Sequence, residues 1–319
     1  MPKRVGAGMK FFDRPYLLLT LTTLFWAGNA IAGKLAAGVI PPFTLTFVRW
    51  TLVVSIVYVV ARPHLAAHRD TIRKHGLFVA FLGVLGFSFF NFALYGALNF
   101  TSALNVSIEQ SAFPSVVMLL MFIIYRERIS ALQGLGVLLS VIGILITVSQ
   151  GSLSRLMALE FNIGDVIMMI GVFVYSLYSI LLRYKPQLPW QVFMLLMAIG
   201  ATVTAFPLAV WEVSQGVYPQ ASWKVPALLA YIVIFPSLLS QVFWVRGVEL
   251  IGPSRASVFI NLVPVFGSGL AVLIIGEAFA SYHAAGIVFV VSGVMLAEWA
   301  GKRRADRIAA QTTPESVPK

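Results

Sequence analysis

The sequence contains no cysteine and has few charged residues. The missing cysteines exclude disulfides, thiolate metal sites and cysteine nucleophiles. Asp, Glu, Lys and Arg together make up 11% of the 319 residues, against about 25% in ordinary globular proteins. The four histidines stand at positions 64, 68, 75 and 283, without the spacing of metal ligands. We therefore expect neither a metal site nor a cofactor.

Sequence signatures of nucleotide hydrolysis and of catalysis are also absent. No G-x-x-x-x-G-K-[ST] loop is present, which argues against ATP-driven transport by this chain alone. No His or Cys lies in the middle of an apolar run, so an enzyme embedded in the membrane is not expected. The net charge of +11 would indicate nucleic acid in a soluble protein. In a membrane protein it is the expected topology signal, so we expect no nucleic-acid partner.

Hydrophobic residues make up 59% of the chain and are gathered into long runs. A helix needs about 20 apolar residues to cross the hydrocarbon core, and backbone groups in lipid must be bonded internally. The runs lack the alternation of a barrel strand. The first run follows a basic segment, as in a signal peptide, but it exceeds the usual apolar region of about 7–15 residues. The ten predicted transmembrane helices are 15–37, 42–62, 76–99, 105–125, 131–149, 164–183, 190–212, 225–246, 256–275 and 281–300.

The basic residues follow the positive-inside rule. If the N-terminus is cytoplasmic, nearly all of the 23 Lys and Arg residues fall on the inner side. Only Arg155 and Lys224 lie in predicted outer connections, and only Lys34 and Arg49 lie within spans. We therefore predict a multi-pass protein of a bacterial-type inner (plasma) membrane with both termini in the cytoplasm.

Five residues of the first half recur in the second half at one constant offset. The pairs are Ser107 and Ser257, Pro114 and Pro264, Glu127 and Glu277, Gly136 and Gly286, and Gly143 and Gly293. Such a match indicates a duplication. Because each half holds five predicted helices, an odd number, the two copies must enter the membrane in opposite senses. Inverted repeats place substrate near the midplane, at the interface of the repeats.

The predicted fold class is an all-α membrane protein of ten transmembrane helices, built from two inverted five-helix repeats. Basic residues and a lack of apolar runs set off the two ends of the chain. The predicted divisions are a cytoplasmic N-terminal segment 1–14, a first repeat 15–149, an outer linker 150–163, a second repeat 164–300 and a basic, disordered cytoplasmic tail 301–319.

Several motifs, weak singly, occur in an order that carries a family resemblance. They are L-F-W-A-G-N at 24–29, P-x-x-x-x-x-x-R-W at 42–50, A-L-x-x-T-S-A-L-N-V-S at 97–107, P-x-x-x-x-L-x-x-x-I-x-x-R-E at 114–127, G-D at 164–165 and G-E at 276–277. The chain resembles the ten-helix EamA branch of the drug/metabolite transporter superfamily and looks closest to its YddG-type amino-acid exporters. The resemblance implies a basket in which the first, third, fourth, sixth, eighth and ninth helices line a central cavity. The fifth and tenth helices would be peripheral.

The chain departs from neighbouring branches of that superfamily. Small multidrug exporters carry a glutamate in their first helix, whereas residues 15–37 contain no acid. Transporters of sugar phosphates use several buried bases, and here only two bases lie within spans. A phosphate-bearing substrate is therefore disfavoured.

Polar and aromatic residues at membrane depth are the candidates for a substrate cavity. They recur together on helices that the resemblance turns inward, and such a set would form an apolar cavity with a few polar handles. For each, interfacial anchoring or helix packing is the competing interpretation. The predicted cavity residues are Trp26, Asn29, Asn91, Tyr95, Tyr175, Tyr178, Gln241 and Trp244.

Glu109 is an acid inside a predicted span, and such residues are functional candidates by default. With Lys34 and Arg49 it forms our set of candidates for ion coupling. The competing expectation is an ion pair between Glu109 and one of these bases, locking the outer side. Asp165 and Glu298 lie near span ends and are expected to be interfacial.

Prolines within predicted spans are candidates for hinges, because they remove a backbone donor. Pro114 and Pro264 occupy matching positions in the two repeats, and Pro236 lies in the eighth predicted helix. A static bend, common in membrane helices, is the alternative.

These observations favour a secondary transporter that exports small organic metabolites by alternating access. Neutral aromatic or hydrophobic amino acids are the predicted substrates, because the spans are rich in aromatics and amides and poor in fixed charge. A multidrug or other metabolite exporter of the same superfamily is the alternative, and a non-transporting scaffold or sensor is a more distant one. The partners expected are a small-molecule substrate and the lipid bilayer, with the chain acting as a monomer or homodimer.

Overall fold

In the computed structural model every long element is a helix. The structure describes residues 11–126, 129–157, 162–251, 259–260 and 262–312, and no strand occurs in those ranges. The first repeat holds α1 (Pro15–Ala36), α2 (Pro42–Leu65), α3 (Arg69–Gly83, Val84–Phe89 and Phe90–Ala97), α4 (Ala103–Gln110 and Phe113–Tyr125) and α5 (Ala131–Val148). The second holds α6 (Ile163–Leu181), α7 (Trp190–Ser214), α8 (Lys224–Ile232, Val233–Leu239 and Ser240–Ile251), α9 (Leu262–Leu270 and Ala271–Ile275) and α10 (Ser281–Thr312).

Local sequence signals fix where several helices begin. Proline occupies the first turn of α1 and α2, where its missing N–H has no intrahelical partner to lose. Ser102 and Asn162 cap α4 and α6 with their side-chain oxygens. Ser130 forms a capping box at the start of α5, which satisfies two otherwise unpaired donors.

The helices are long and apolar enough to span a membrane, and the predicted all-α membrane fold is confirmed. Seven helices of the described chain pass on length and composition alone, or eight when the two parts of α4 count as one span bent by 40°. The stretch Pro42–Ala97 passes as one unit of 56 residues, which would be about 84 Å long if straight. A 3-10 turn at Ala66–His68 divides it, and Arg49 of α2 bonds to Asn91 of α3. The helices α2 and α3 therefore lie side by side.

The helix contacts repeat under an exchange of the two halves. The helix α1 packs on α8 and α9, and its counterpart α6 packs on α3 and α4. The pairs α2–α7, α4–α9 and α5–α10 map onto themselves. A Cβ at Gly136 would lie 2.5 Å from the Gly293 carbonyl oxygen, and one at Gly143 would lie 2.8 Å from that of Gly286. Since 136 meets 293 and 143 meets 286, α5 and α10 run antiparallel, as inverted repeats require. Ser257 and Glu127 lie outside the described residues.

Among the described residues, three helices contain wider π-helical turns that the sequence did not predict. They occupy Val84–Phe89 in α3, Val233–Leu239 in α8 and Ala271–Ile275 in α9. Pro236 lies inside the second of these turns. Pro114 stands in the first turn after the bend in α4, and Pro264 in the first turn of the described α9. A hinge role for these prolines stays a prediction.

Candidate functional site

A buried arginine joins four helices. Arg49 of α2 donates from Nε to the Ser237 hydroxyl of α8 at 2.7 Å. Its Nη1 donates to Asn91 Oδ1 at 2.8 Å and to the Tyr95 hydroxyl at 2.5 Å, both on α3, and lies 3.4 Å from Asn29 Oδ1 on α1. The Tyr95 hydroxyl in turn donates to Asn29 Oδ1 at 3.0 Å. We call these five residues the arginine cluster.

Local backbone bonds hold the acceptors of the cluster in place. The Ser237 hydroxyl donates to the Ile232 carbonyl oxygen, five residues back, at 2.7 Å. Its oxygen is thereby turned to accept from Arg49, and the π-helical turn at Val233–Leu239 brings it there. The Asn91 amide donates to the Phe87 carbonyl, which leaves its Oδ1 for Arg49.

Every partner of Arg49 in the described chain is neutral. Arg49 is only 4% exposed, and removing a guanidinium from water costs several kcal/mol unless charge or hydrogen bonds compensate it. Here amide and hydroxyl oxygens supply the compensation, and no Asp or Glu of the described residues forms an ion pair with Arg49. The cluster therefore holds a positive charge for which the described protein supplies no negative partner.

Two aromatic rings lie near the guanidinium. The Arg49 Cζ atom lies 5.0 Å from the centre of the Trp50 ring and 6.0 Å from that of Tyr95. Trp50 stacks face to face on Phe87 of α3 at 4.2 Å. Cation–π contacts of this kind add to the stabilisation of a buried base. The indole N–H of Trp50 is buried without a hydrogen-bond acceptor.

Four of the other five predicted cavity residues form two aromatic groups. Trp26 of α1 and Trp244 of α8 pack with ring centres 5.3 Å apart, across the helix pair α1–α8. On α6, Tyr175 and Tyr178 lie 5.2 Å apart, and Phe113 of α4 reaches Tyr175 at 4.8 Å. Gln241 of α8 is half-buried and makes no side-chain hydrogen bond within the described chain.

A second buried site consists of two carboxyl groups. Glu109 of α4 is 0% exposed, and neither of its carboxyl oxygens has a hydrogen-bond donor among the described residues. Its carboxyl group lies within hydrogen-bonding reach of that of Asp165 on α6. Asp165 also accepts from the Thr101 hydroxyl and, at 3.4 Å, from the Asn105 amide.

The structure corrects the expected ion pair of Glu109. Lys34 donates instead to the Leu98 and Thr101 carbonyl oxygens, at 2.9 and 2.7 Å, where α3 ends. A base at the C-terminal end of a helix is favourable, and that contact holds the ammonium away from Glu109. Arg49 is occupied by the arginine cluster. The prediction that Glu109 pairs with either base was therefore wrong.

The expectation for Asp165 also needs correction. It stands in the first turn of α6, as its place near a span end suggested, but it is only 2% exposed. It is turned towards α4 rather than towards the membrane surface, because Thr101 and Asn105 donate to it. The side chain of Glu298 lies outside the described part of the chain.

Two further carboxylates bind the N-termini of helices. Glu212 of α7 accepts from the Phe43 and Thr44 backbone N–H groups and from the Thr44 hydroxyl, at 2.7–3.0 Å. Glu277 accepts from the Ala103 and Leu104 N–H groups of α4 at 2.8 and 2.9 Å. Each therefore satisfies donors that a helix start leaves unpaired. Sequence reasoning assigned neither contact, although Glu277 was singled out by the repeat.

A polar cavity of about 290 Å³ opens where α4 begins. Lys34 and Glu277 stand on its wall together with Thr101, Asn105 and His283. Two of these, Thr101 and Asn105, are the donors to Asp165, so they lie between the cavity and the carboxyl pair. Within the described residues no three His, Asp or Glu side chains converge as a metal site would need.

Sequence reasoning found part of this arrangement. The structure brings Asn29, Asn91, Tyr95 and Arg49 into one cluster, all of them predicted site residues. Sequence reasoning missed Ser237, because a serine in an apolar run gives no sign of its hydrogen-bond partner. It also missed Trp50, Thr101 and Asn105, although all three stand in the motifs on which the family resemblance depends.

Comparisons with known proteins agree with this fold. An uncharacterised transporter of Archaeoglobus fulgidus is 28% identical over 292 residues, covering 89% of this chain and 97% of its own. An uncharacterised transporter of Bacillus subtilis, YyaM, is 25% identical over 291 residues, covering 88% of this chain and 92% of its own. A solved crystal structure superposes with a TM-score of 0.59 at 18% identity, covering 91% of this chain and 98% of its own, which supports the fold alone.

The family match spans both halves of the chain. The model of the EamA-like transporter family matches residues 14–149 and again residues 162–299. Two copies of one domain agree with the exchange symmetry of the helix contacts. The chain is a multi-pass membrane protein and belongs to the EamA-like transporter family.

Proposed function

We propose that this transporter exports neutral amino acids with large apolar or aromatic side chains by alternating access. It would work as a monomer or homodimer in a bacterial-type inner membrane. The family match supports transport, and the substrate class is inferred from the arginine cluster and the rings near it.

The observation that carries the proposal is the buried guanidinium of Arg49 with neutral partners only. A substrate carboxylate is the natural counter-charge for it, because a carboxylate adds Coulombic attraction and can accept two parallel N–H···O bonds from a guanidinium. Asn29 and Asn91 hold the guanidinium through single oxygen atoms, and a carboxylate would replace these weaker contacts. Alternating access would then consist of exposing the cluster to one side and closing it around substrate.

The apolar part of the substrate would lie against aromatic side chains. Trp26 and Trp244 offer half-buried rings on α1 and α8, the two helices that carry Asn29 and Ser237. Burial of apolar area contributes about 25 cal/mol per Å². A second acidic group or a phosphate on the substrate would lack a matching base, and its desolvation would go uncompensated.

Transport into liposomes that contain the purified chain tests this proposal. We expect exchange of radiolabelled phenylalanine and leucine, with glutamate and sugar phosphates inert. Phenethylamine, which is phenylalanine without its carboxylate, should compete poorly in the wild type. Arg49→Gln should slow phenylalanine exchange about tenfold or more, equivalent to about 1.4 kcal/mol, and should no longer discriminate against phenethylamine.

A matched variant controls for the loss of one positive charge. Arg62→Gln removes an exposed base at the end of α2 and should leave exchange unchanged. Trp26→Ala, Tyr95→Phe and Trp244→Ala should each reduce exchange without loss of folded protein. Rapid transport of glutamate with phenylalanine and leucine inert would refute the substrate class, whatever Arg49→Gln does.

The orientation with both termini in the cytoplasm is part of the proposal. The chain has no cysteine, so single cysteines can be labelled without background. Ala67 and Ser154 are both exposed and lie on opposite sides in this orientation. In intact cells an impermeant thiol reagent should label Ser154→Cys and spare Ala67→Cys; the reverse pattern would invert the topology.

A further inference from the structure

The carboxyl pair of Glu109 and Asp165 is the strongest unexplained feature of the molecule. Glu109 is fully buried, and no hydrogen-bond donor of the described residues reaches either of its oxygens. A buried carboxylate in that position would lack any compensation for the water it has lost. Two carboxylates in contact would in addition repel each other. Both difficulties disappear when one proton lies between the two groups.

The surroundings assign the proton to Glu109. Asp165 accepts from the Thr101 hydroxyl and from the Asn105 amide, and these donors stabilise a carboxylate. Glu109 has no such donors, so its neutral form suits the site. The Glu109 O–H would then donate to Asp165, giving Asp165 a third donor and satisfying the Glu109 carboxyl.

No other charge of the described chain neutralises the pair. The first part of α4 packs against α1, α5, α6, α9 and α10. Besides Asp165, the titratable and charged side chains on those helices, where described, are Tyr16, Lys34, Tyr175, Tyr178, Tyr282, His283 and Arg303. Lys34 is bound to the end of α3, and His283 Nδ1 accepts from the Ala280 N–H at 3.0 Å.

The remaining side chains of that group are directed to other rings. Tyr175 and Tyr178 pack on each other, Tyr282 lies against His283, Tyr16 lies against Phe259, and Arg303 covers Trp299. Nearby, Glu277 is occupied by the N-terminus of α4. Asp165 is therefore the group that faces Glu109 directly.

The polar cavity gives the pair a route to water. Thr101 and Asn105 line the cavity on one side and donate to Asp165 on the other. A proton from the cavity would reach the Asp165 carboxylate by way of these two polar side chains, and Glu109 from there. The pair thus combines a buried proton-binding group with a polar entrance at one end of the bundle.

We propose that Glu109 and Asp165 hold one exchangeable proton, taken up through the polar cavity, and that this proton couples transport to a proton gradient. In the loaded state the pair carries one proton and one negative charge. In the unloaded state it carries no proton and two negative charges, which favours rearrangement of α4 against α6. The coupling rests on the proposed transport function, whereas the proton site itself does not.

Infrared difference spectra of the purified protein in liposomes, recorded between acidic and alkaline pH, test the site without any substrate. The wild type should show the C=O band of a protonated carboxyl group that disappears as the proton leaves. Glu109→Gln should remove this band. Asp165→Asn should shift its frequency, because the Glu109 O–H then donates to a neutral amide oxygen in place of a carboxylate. A band unchanged in both variants would overturn the proposal.

Glu212→Gln is the matched control, since Glu212 is another buried carboxyl but has three donors. It should leave the band intact. If Glu109→Gln does not fold, Thr101→Val serves instead: it removes a donor from Asp165, and the pH range over which the band disappears should change. The same pH range in Thr101→Val and wild type would contradict the site.

Coupling is tested in the same liposomes with a proton gradient and labelled phenylalanine. Glu109→Gln should keep exchange at equal concentrations and lose accumulation against a gradient. Accumulation by Glu109→Gln at the wild-type level would overturn the coupling. If neither the wild type nor the variant transports phenylalanine while the infrared band behaves as expected, the substrate class is wrong and the proton site stands.

Discussion

Glu212 and Glu109 are both buried carboxyl groups, yet their surroundings are opposite. Glu212 is 6% exposed and accepts three hydrogen bonds from the start of α2. Glu109 is 0% exposed and has no donor among the described residues. Burial therefore does not say what an acid does in this fold. The number of hydrogen-bond donors around the carboxyl group makes the difference. A carboxylate with several donors joins helices, whereas one without donors can gain or lose a proton.

The satisfied carboxylates stand where helices of different parts of the chain meet. Glu212 joins α7 to the beginning of α2, and Glu277 joins the segment after α9 to the beginning of α4. Both exploit unpaired N–H groups and the positive end of a helix dipole. Each joins the two repeats to each other, because α2 and α4 belong to the first repeat and α7 and α9 to the second. We expect these contacts to stabilise the fold rather than to take part in binding.

The largest effect is expected for Glu212→Ala. The substitution leaves two backbone N–H groups and the Thr44 hydroxyl without their acceptor, and a hydrogen bond contributes about 1 kcal/mol net. We expect a loss of roughly 3 kcal/mol of stability, seen as a clearly lower Tm of the purified protein in detergent. A Tm within error of the wild type would break the comparison, because Glu212 would then not act structurally.

Glu277→Ala should have a smaller effect. Glu277 is half-buried beside the polar cavity, so water can replace the carboxylate at the two N–H groups of α4. Loss of a helix N-terminal acceptor typically costs about 1 kcal/mol, and the Tm should fall accordingly. If the Tm fell as much as in Glu212→Ala, water from the cavity would not compensate for the missing carboxylate.

The comparison also shows how far sequence reasoning reaches. Apolar runs of bilayer length and the recurrence of Gly136, Gly143, Gly286 and Gly293 were enough to predict the helices and the duplication. Those patterns depend on the chain alone, because lipid forces each run into a helix. The role of the glycines follows only from the structure, in which they let α5 and α10 approach each other.

The sequence could not predict which side chains the buried polar residues contact. An ion pair of Glu109 with Lys34 or Arg49 was the expectation that competed with ion coupling. Whether these side chains meet depends on the rotation of α1, α2 and α4 about their axes. Packing of the whole bundle sets that rotation. The π-helical turn that brings Ser237 to Arg49 changes which residues of α8 face the other helices. A run of apolar residues gives no sign of such a turn.

Thr44→Val sharpens the comparison with a still smaller change. It removes one of the three donors of Glu212 and keeps the two backbone N–H groups. A single hydrogen bond contributes about 1 kcal/mol net, and the similar shape of valine limits disturbance of packing. The double variant Thr44→Val with Glu212→Ala should be no less stable than Glu212→Ala alone, since the hydroxyl then has no carboxylate to lose. Additive losses would show that Thr44 acts elsewhere.

The smallest effect is expected for Glu109→Gln, although this side chain is the more deeply buried of the two acids. Glutamine has nearly the shape of glutamate, no hydrogen bond from the described residues is lost, and the amide can donate to Asp165 as the protonated carboxyl would. We expect a Tm equal to or slightly above that of the wild type, measured in detergent beside Glu212→Gln. If Glu109→Gln lowered the Tm as much as Glu212→Ala, Glu109 would be a structural group, and the distinction drawn from the donors would fail. An unchanged Tm together with loss of the protonated-carboxyl band would instead separate the two acids by function, because only Glu109 would then exchange a proton while the fold stays intact.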